Sequence, residues 1–396
     1  MVNPINPYPK GLAVLGLFMI LMGGCHNPAQ KDTTDVLLKT LKGEDSAIQR
    51  VVAQAENHEL HIELILPKDT AHVSENEGAP QGLQRSAVDY SKGQYFYPAS
   101  TVKLPVAIFA AEWTELQPDI SIITPYRIEN DSTSHSIAQD LIDIFAVSDN
   151  QAFNRLYDLL GRDYVNQRMA ELNIGPFRLA HRLSVSDAAA QEHPKYFFET
   201  AQGTHTFQAG PDQPLDSLGV AGMQKGIGYM QEDLLIEEPM DFSRKNYFPL
   251  SSMIKFMERL YPLDCFDCPT PLKWAKNTEA FVKTIMMSVP RKQGYDETEY
   301  PDGYVKFFFL GDSNERIDPA LHLHNKVGYA YGTLTDIAYV VDTKHNLNYI
   351  LGATLLVNEN KIFNDNVYEY DSIGLPFLAQ TARRLHELLI QAKSGR

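Results

Sequence analysis

The sequence predicts an α+β domain whose single sheet is built from both ends of the chain. Three observations carry this. An alternating apolar segment at 60–66 lies near the start, and three more, at 320–328, 335–342 and 347–357, lie near the end. Most segments between them have helical spacing. The run 375–393 then closes the chain as an amphipathic helix, with Leu378, Ala382, Leu385, Leu388 and Leu389 on one face. Short turns separate the late strands, so they pair antiparallel.

Taken in order, 45–56 reads as a helix capped by Asp45 or Ser46, with Ile48, Val51, Val52 and Ala55 on one face. The strand at 60–66 follows, then a polar loop with Gly and Pro at 68–87. A short strand is expected near 94–97 and a helix from about Ser100 to Leu116. Residues 137–193 read as mostly helical and roughly 190–250 as irregular. Helices return near 250–260 and 277–288. No internal repeat or low-complexity tract interrupts the chain.

Composition narrows the function classes. The 396 residues are 44% hydrophobic and 21% charged, a globular mix that argues against general disorder. Fifty Asp plus Glu against 35 Lys plus Arg give a net charge of −15, which argues against nucleic acid as a partner. Three cysteines are too few for a disulfide scaffold or a four-cysteine zinc site. Cys265 and Cys268 in Cys-Phe-Asp-Cys read either as a disulfide or as two free thiols, and no βαβ context supports a redox pair.

The N-terminus has its own pattern. Lys10 precedes an apolar run at 11–22, shorter than the roughly 20 residues a membrane span needs, and Gly23-Gly24-Cys25 follows. That is the layout of an export signal. The small pair before Cys25 resembles a bacterial lipoprotein signal, which implies a signal peptide at 1–24, lipidation of Cys25 and a polar tether over 25–44. The domain at 45–396 is then expected as an exported lipoprotein facing the periplasm or cell surface.

Common catalytic signatures such as Gly-x-Ser-x-Gly, His-Glu-x-x-His and the phosphate-binding glycine loop are absent. His322 and His324 share a strand face without further ligands, so no metal site is expected. Three short elements combine instead. In Ser100-Thr101-Val102-Lys103 a helical spacing of three puts the amine beside the hydroxyl. A serine needs an adjacent base, and a buried lysine serves when it is kept partly neutral. Ser148-Asp149-Asn150 is the second element, and Lys326-Val327-Gly328 on a late strand is the third. Each is weak alone. Ser252-Met253-Ile254-Lys255 repeats the first, read as a capped helix start, and Lys292-Gln293-Gly294 repeats the third in a charged turn.

The ordered trio resembles the penicillin-recognising serine hydrolases, most closely the class A β-lactamases. The wording around it agrees over 97–107, 147–154 and 326–338, and the resemblance extends over about 45–392. It implies an α/β/α sandwich of β-lactamase/transpeptidase type, with a five-stranded antiparallel sheet flanked by helices and an all-helical subdomain. It also implies that Ser100 forms an acyl-enzyme, that Lys103 takes or relays its proton and that Ser148 hands a proton to the leaving nitrogen. Asn150, Lys326, Gly328 and Tyr329 would bind substrate, with the backbone N–H groups of Ser100 and Tyr329 as an oxyanion hole. No cofactor is implied, and a monomer is expected.

Two departures bear on this. Val327 stands where class A enzymes carry a hydroxyl residue that binds the antibiotic's carboxylate. Asp187, beyond Arg182-Leu183, falls where they carry the glutamate that activates the deacylating water; Glu192 is the other candidate. The 190–300 region is also long for the family. The expected activity is β-lactam hydrolysis. The alternatives are a D,D-peptidase or transpeptidase acting on peptidoglycan peptides, and a non-catalytic binding lipoprotein.

Overall fold

The computed structural model describes residues 35–67, 83–263 and 272–394. The proposed signal, Cys25, residues 25–34 of the tether, Cys265 and Cys268 lie outside the described residues. In chain order the first elements are α1 (Val36–Leu41), α2 (Ser46–Val52), β1 (His61–Pro67) and β2 (Leu83–Asp89). A 3₁₀ turn at Ala99–Val102 leads into α3 (Lys103–Thr114), followed by β3 (Tyr126–Ile128). Then come α4 (Ile137–Ala146), α5 (Asn150–Leu160) and α6 (Arg162–Glu171). Six short strands follow: β4 (Tyr196–Thr200), β5 (Gly203–Phe207), β6 (Gln224–Lys225), β7 (Gly228–Gln231), β8 (Leu234–Ile236) and β9 (Met240–Asp241). The chain ends with α7 (Leu250–Leu260), α8 (Lys276–Met287), β10 (Leu321–Ala330), β11 (Thr333–Asp342), β12 (Leu347–Leu356), β13 (Ile362–Phe363) and α9 (Leu375–Ser394).

One five-stranded sheet, ordered β10-β11-β12-β1-β2 and antiparallel throughout, joins both ends of the chain. The alternation in each strand sends its two apolar sets to opposite faces. On one face Ile62, Leu64, Leu323, Ala338 and Leu351 pack on Leu37, Ile48, Phe377 and Leu385 of α1, α2 and α9. On the other, Ile65, Ile337 and Ile350 meet the helical middle, with Val106, Phe109, Phe153, Phe256 and Val282. This is the expected α+β sandwich. All twelve residues of α3 are buried, as an all-round apolar helix must be. Its one acid, Glu112, is satisfied by a two-pronged pair with Arg168, both contacts 2.8 Å.

Asp45 is the cap of α2, accepting from the N–H groups of Ala47 and Ile48 at 2.9 and 3.1 Å. Other expectations need correction. The tether does not run to 44, because α1 at Val36–Leu41 docks Leu37 and Leu41 into the core. The second strand is Leu83–Asp89, so the loop after β1 ends sooner than 87, and 94–97 is an irregular segment anchored by Tyr95 and Tyr97. That anchoring is aromatic packing, which β-like composition imitates. Helix stops at Glu171, not near 193, and 190–250 carries β4–β9 where an irregular stretch was expected. Ser252 sits inside the first turn of α7 while Pro249 takes the cap position; Lys255 faces solvent as expected. Among the described residues, no helix is long and apolar enough to cross a membrane.

Candidate active site

Ser100 lies in the 3₁₀ turn, and Lys103 is the first residue of α3. The helix therefore starts later than the sequence suggests. The consequence is small, since residues three apart eclipse in a 3₁₀ turn and still share a face. Ala99, buried directly before Ser100, is held at φ +47°, a conformation that L-residues adopt only under constraint. The constraint comes from β10. A side chain at Gly328 would begin 2.8 Å from the Pro98 oxygen and 3.0 Å from the backbone nitrogens of Ser100 and Thr101. Only glycine lets the strand approach this closely. Gly328→Ala is expected to push β10 off the turn and slow acylation by about 10²-fold, since an ångström of misplacement has that effect. A burst-phase rate equal to the parent's would show that the close approach is not needed.

Ser148 sits between α4 and α5 at φ +56°, and Asp149 caps α5 by accepting from Ala152 N–H at 2.6 Å. The cap and the strained residue before it turn Ser148 toward both lysines. Lys103 Nζ donates to the Ser148 carbonyl, to Asn150 Oδ1 at 2.6 Å and, at a longer 3.4 Å, to Ser148 Oγ. Lys326 Nζ donates to the same Oγ at 2.8 Å and to the Val327 carbonyl at 2.9 Å. Both amines are buried. Burial pushes Lys103 down to about 7, with the Asp149 charge opposing. Burial also pushes Lys326 well below the usual amine range, helped by the positive charge of Lys103. One hydroxyl thus lies within reach of two amines whose neutral forms burial favours, an arrangement through which a proton can be passed.

A cavity of about 540 Å³ opens over this group, with Ser100, Asn150, Ser184, Lys245, Tyr329 and Tyr331 on its wall. A second space of about 790 Å³ adjoins it and shares Tyr329, Asn366, Tyr368 and Tyr370. Tyr329 is 44% exposed, its ring edged by Phe307 and Tyr370. His181, Lys245, Tyr368 and Tyr370 carried no motif in the sequence, whereas Tyr97, Tyr329 and Tyr331 lay inside motif-bearing segments.

Two sequence candidates sit elsewhere. Asp187 is exposed on a turn, and neither it nor Glu192 lines the cavity; that loop presents Ser184, Val185 and Ala188 instead. No Asp or Glu is among the described residues on the wall. Val327 also faces away, 2% exposed in the core beneath α9, so its lack of a hydroxyl does not alter the cavity surface. The reason is strand alternation, which sends Lys326 and Val327 to opposite faces.

The 181–193 loop is tied down by a ladder on one face of α5 that sequence reading missed. Asn150 Nδ2 donates to Ser184 Oγ at 2.9 Å. The Asn154 amide exchanges two bonds of 2.9 Å with the Leu183 backbone. Asp158 receives Arg182 Nε at 2.9 Å and pairs with His193 Nδ1 at 2.9 Å. The spacing of four between these three residues is the signal that was available. His324 is satisfied by Tyr261 and Lys283, and His322 by Pro319, as expected for structural histidines.

Residues 82–209 match a family described as Beta-lactamase enzyme family. Solved structures similar to the chain include a beta-lactamase from Burkholderia ambifaria, 14% identical, with 86% of this chain and 98% of that one covered at a TM-score of 0.49. A beta-lactamase from Desulfarculus baarsii is 13% identical over 87% and 99%, also at 0.49. A class A beta-lactamase representative from Bacteroides cellulosilyticus is 12% identical over 87% and 97%, at 0.48. No curated protein sequence matches the chain. The matched segment holds Ser100, Lys103, Ser148 and Asn150, and the sheet brings Lys326 to them from far along the chain. The match over 82–209 supports a β-lactamase-like serine hydrolase family for the segment that carries these residues.

Proposed function

We infer that this hydrolase opens the β-lactam amide through an acyl-enzyme on Ser100. The observation that carries the reading is the Ser148 hydroxyl held 2.8 Å from Lys326 Nζ and 3.4 Å from Lys103 Nζ, beside the nucleophile's turn. In the proposed sequence, neutral Lys103 takes the Ser100 proton as Oγ bonds to the carbonyl carbon. The carbonyl electrons move to oxygen, facing the N–H groups of Ser100 and Tyr329. Collapse breaks the C–N bond, and Ser148 protonates the leaving nitrogen while drawing a proton from the lysine pair. Water then cleaves the ester and restores Ser100. Asp187 lies off the cavity wall, so this second half is expected to be slow. Lipid attachment at Cys25 and an exported location belong to the same proposal, resting on Gly23-Gly24-Cys25 after the apolar run.

The absence of an acid on the described wall, with the adjoining second space, favours one other reading: acyl transfer on peptidoglycan peptides by a D,D-peptidase or transpeptidase. A chromogenic cephalosporin tests the first. Time-dependent hydrolysis that disappears in Ser100→Ala is expected, and no turnover at high enzyme concentration overturns it. Intact-protein mass spectrometry with a penicillin separates the two, since a persistent one-to-one adduct on Ser100 favours acyl transfer.

A further inference from the structure

The β11–β12 turn and α9 meet at the end of the sheet remote from Ser100. Asp342, the last residue of β11, is 4% exposed. Its Oδ1 accepts from the backbone N–H groups of Lys344 and His345 at 2.8 and 3.0 Å, which fixes the carboxylate. Its Oδ2 lies 2.6 Å from His345 Nδ1 and 2.9 Å from His386 Nε2. The remaining nitrogen of His386, Nδ1, is 3.1 Å from the Tyr349 hydroxyl. Among the described residues, this is the one group of three His, Cys, Asp or Glu whose donor atoms all lie within 4.8 Å of one another.

We propose that Asp342, His345 and His386 form a site for a divalent transition-metal ion, with zinc(II) as its best-suited occupant. Two imidazole nitrogens and one carboxylate oxygen are the donors that zinc prefers over calcium or magnesium. The three atoms come from a strand end, a turn and a helix, yet they converge on one point. A tetrahedral ion with bonds of about 2.0–2.1 Å holds its ligands about 3.3 Å apart, so the 2.6 and 2.9 Å separations would have to open by about 0.4–0.7 Å to admit it. The Tyr349 hydroxyl addresses the nitrogen of His386 that faces away from that point, the outer contact that fixes ring orientation in metal sites. The His345 side chain is 33% exposed, which leaves an entry path and room for water as a fourth ligand. The competing account is a pair of imidazoles sharing hydrogen bonds to Oδ2 with no ion between them.

The site stands apart from the catalytic group. Gly328, which touches the Ser100 turn, pairs with Thr335, seven residues before Asp342 on β11 and therefore about 23 Å along the strand. A bound ion would tie the β11–β12 turn to α9, whose other contacts hold that face of the sheet.

Cys265 and Cys268 could also take zinc, so the test separates them. The full chain carrying Cys265→Ser and Cys268→Ser, stripped of metal, is dialysed against zinc(II) and its content measured. One equivalent per chain is expected, with a rise in melting temperature. Cobalt(II) is expected to give ligand-field absorption without a thiolate charge-transfer band. Tyr349→Phe should weaken zinc binding about tenfold, and His345→Ala with His386→Ala should abolish it. If that double variant does not fold, His345→Ala alone, on the turn, should weaken uptake by at least about tenfold. No uptake in the chain carrying Cys265→Ser and Cys268→Ser overturns the proposal, as does uptake undiminished by the histidine substitutions.

Discussion

Lys103→Met is expected to slow acylation of Ser100 by about 10²–10⁴-fold, the range a positioned general base contributes. The substitution keeps the length of an apolar stem in a site where every residue of α3 is buried, so the core remains filled. It removes the amine that contacts Ser148 and Asn150. The accompanying pH dependence gives the mechanism its sharper test. Burial holds Lys103 at about 7, so the neutral, proton-accepting form is scarce below that pH and dominant above it. The acylation rate of the parent should therefore rise with pH along a limb centred near 7, and the residual rate of Lys103→Met should lack that limb. A parent profile flat from pH 5 to 9, or a variant that keeps the limb, would show that another group takes the proton. Ser148→Ala supplies a second arm. It leaves Lys103 in place, so the limb should persist at a lower rate.

Much of this site was legible in the sequence because its parts are local. Ser100 and Lys103 are three residues apart, Ser148 to Asn150 are contiguous, and Lys326 and Gly328 lie on a strand with plain alternation. The sheet was legible for the same reason. Four of its five strands alternate clearly, whereas β2, with its mixed burial, does not, and the apolar residues at 95–97 competed for its place. The cavity wall is a different matter. Ser184, Lys245, Tyr331 and Tyr368 come from four separate stretches of chain and meet only through tertiary packing. Asp187 was placed by counting from Arg182-Leu183, but a turn over 186–189 exposes it, and counting along a loop does not reveal which way its residues point. The three metal-site donors show both cases. Asp342 and His345 are neighbours on one turn, while His386 reaches them from α9.

His193→Ala is expected to destabilise the fold by about 3–5 kcal/mol at pH 6, the effect of removing one partner from a buried charge cluster. His193 is fully enclosed between Asp158 of α5 and Asp212, at 2.9 and 3.3 Å. Arg182 also reaches Asp158, and Arg162 lies 3.7 Å from Asp212, so cations and carboxylates alternate beneath the cavity loop. Burial disfavours the imidazolium, but the hydrogen bond to Asp158 and the close Asp212 carboxylate outweigh it and hold His193 up to about 9. Burial likewise disfavours the Asp212 carboxylate, yet the His193 contact and the Asp163 N–H keep it below the usual range. The sign follows from linkage. A histidine near 6.5 when unfolded and near 9 when folded adds stability that is complete below about pH 6.5 and lost as pH rises through 9. Chemical denaturation at pH 6, 7.5 and 9 should show the parent losing stability across that window and His193→Ala showing a flatter slope. Because Arg182, Leu183 and Ser184 of the same loop line the cavity, the variant should also raise KM more than it lowers the acylation rate. Equal slopes for the two proteins would mean that His193 is neutral in the fold. The ladder of Asn150, Asn154 and Asp158 would then hold the loop without an imidazolium.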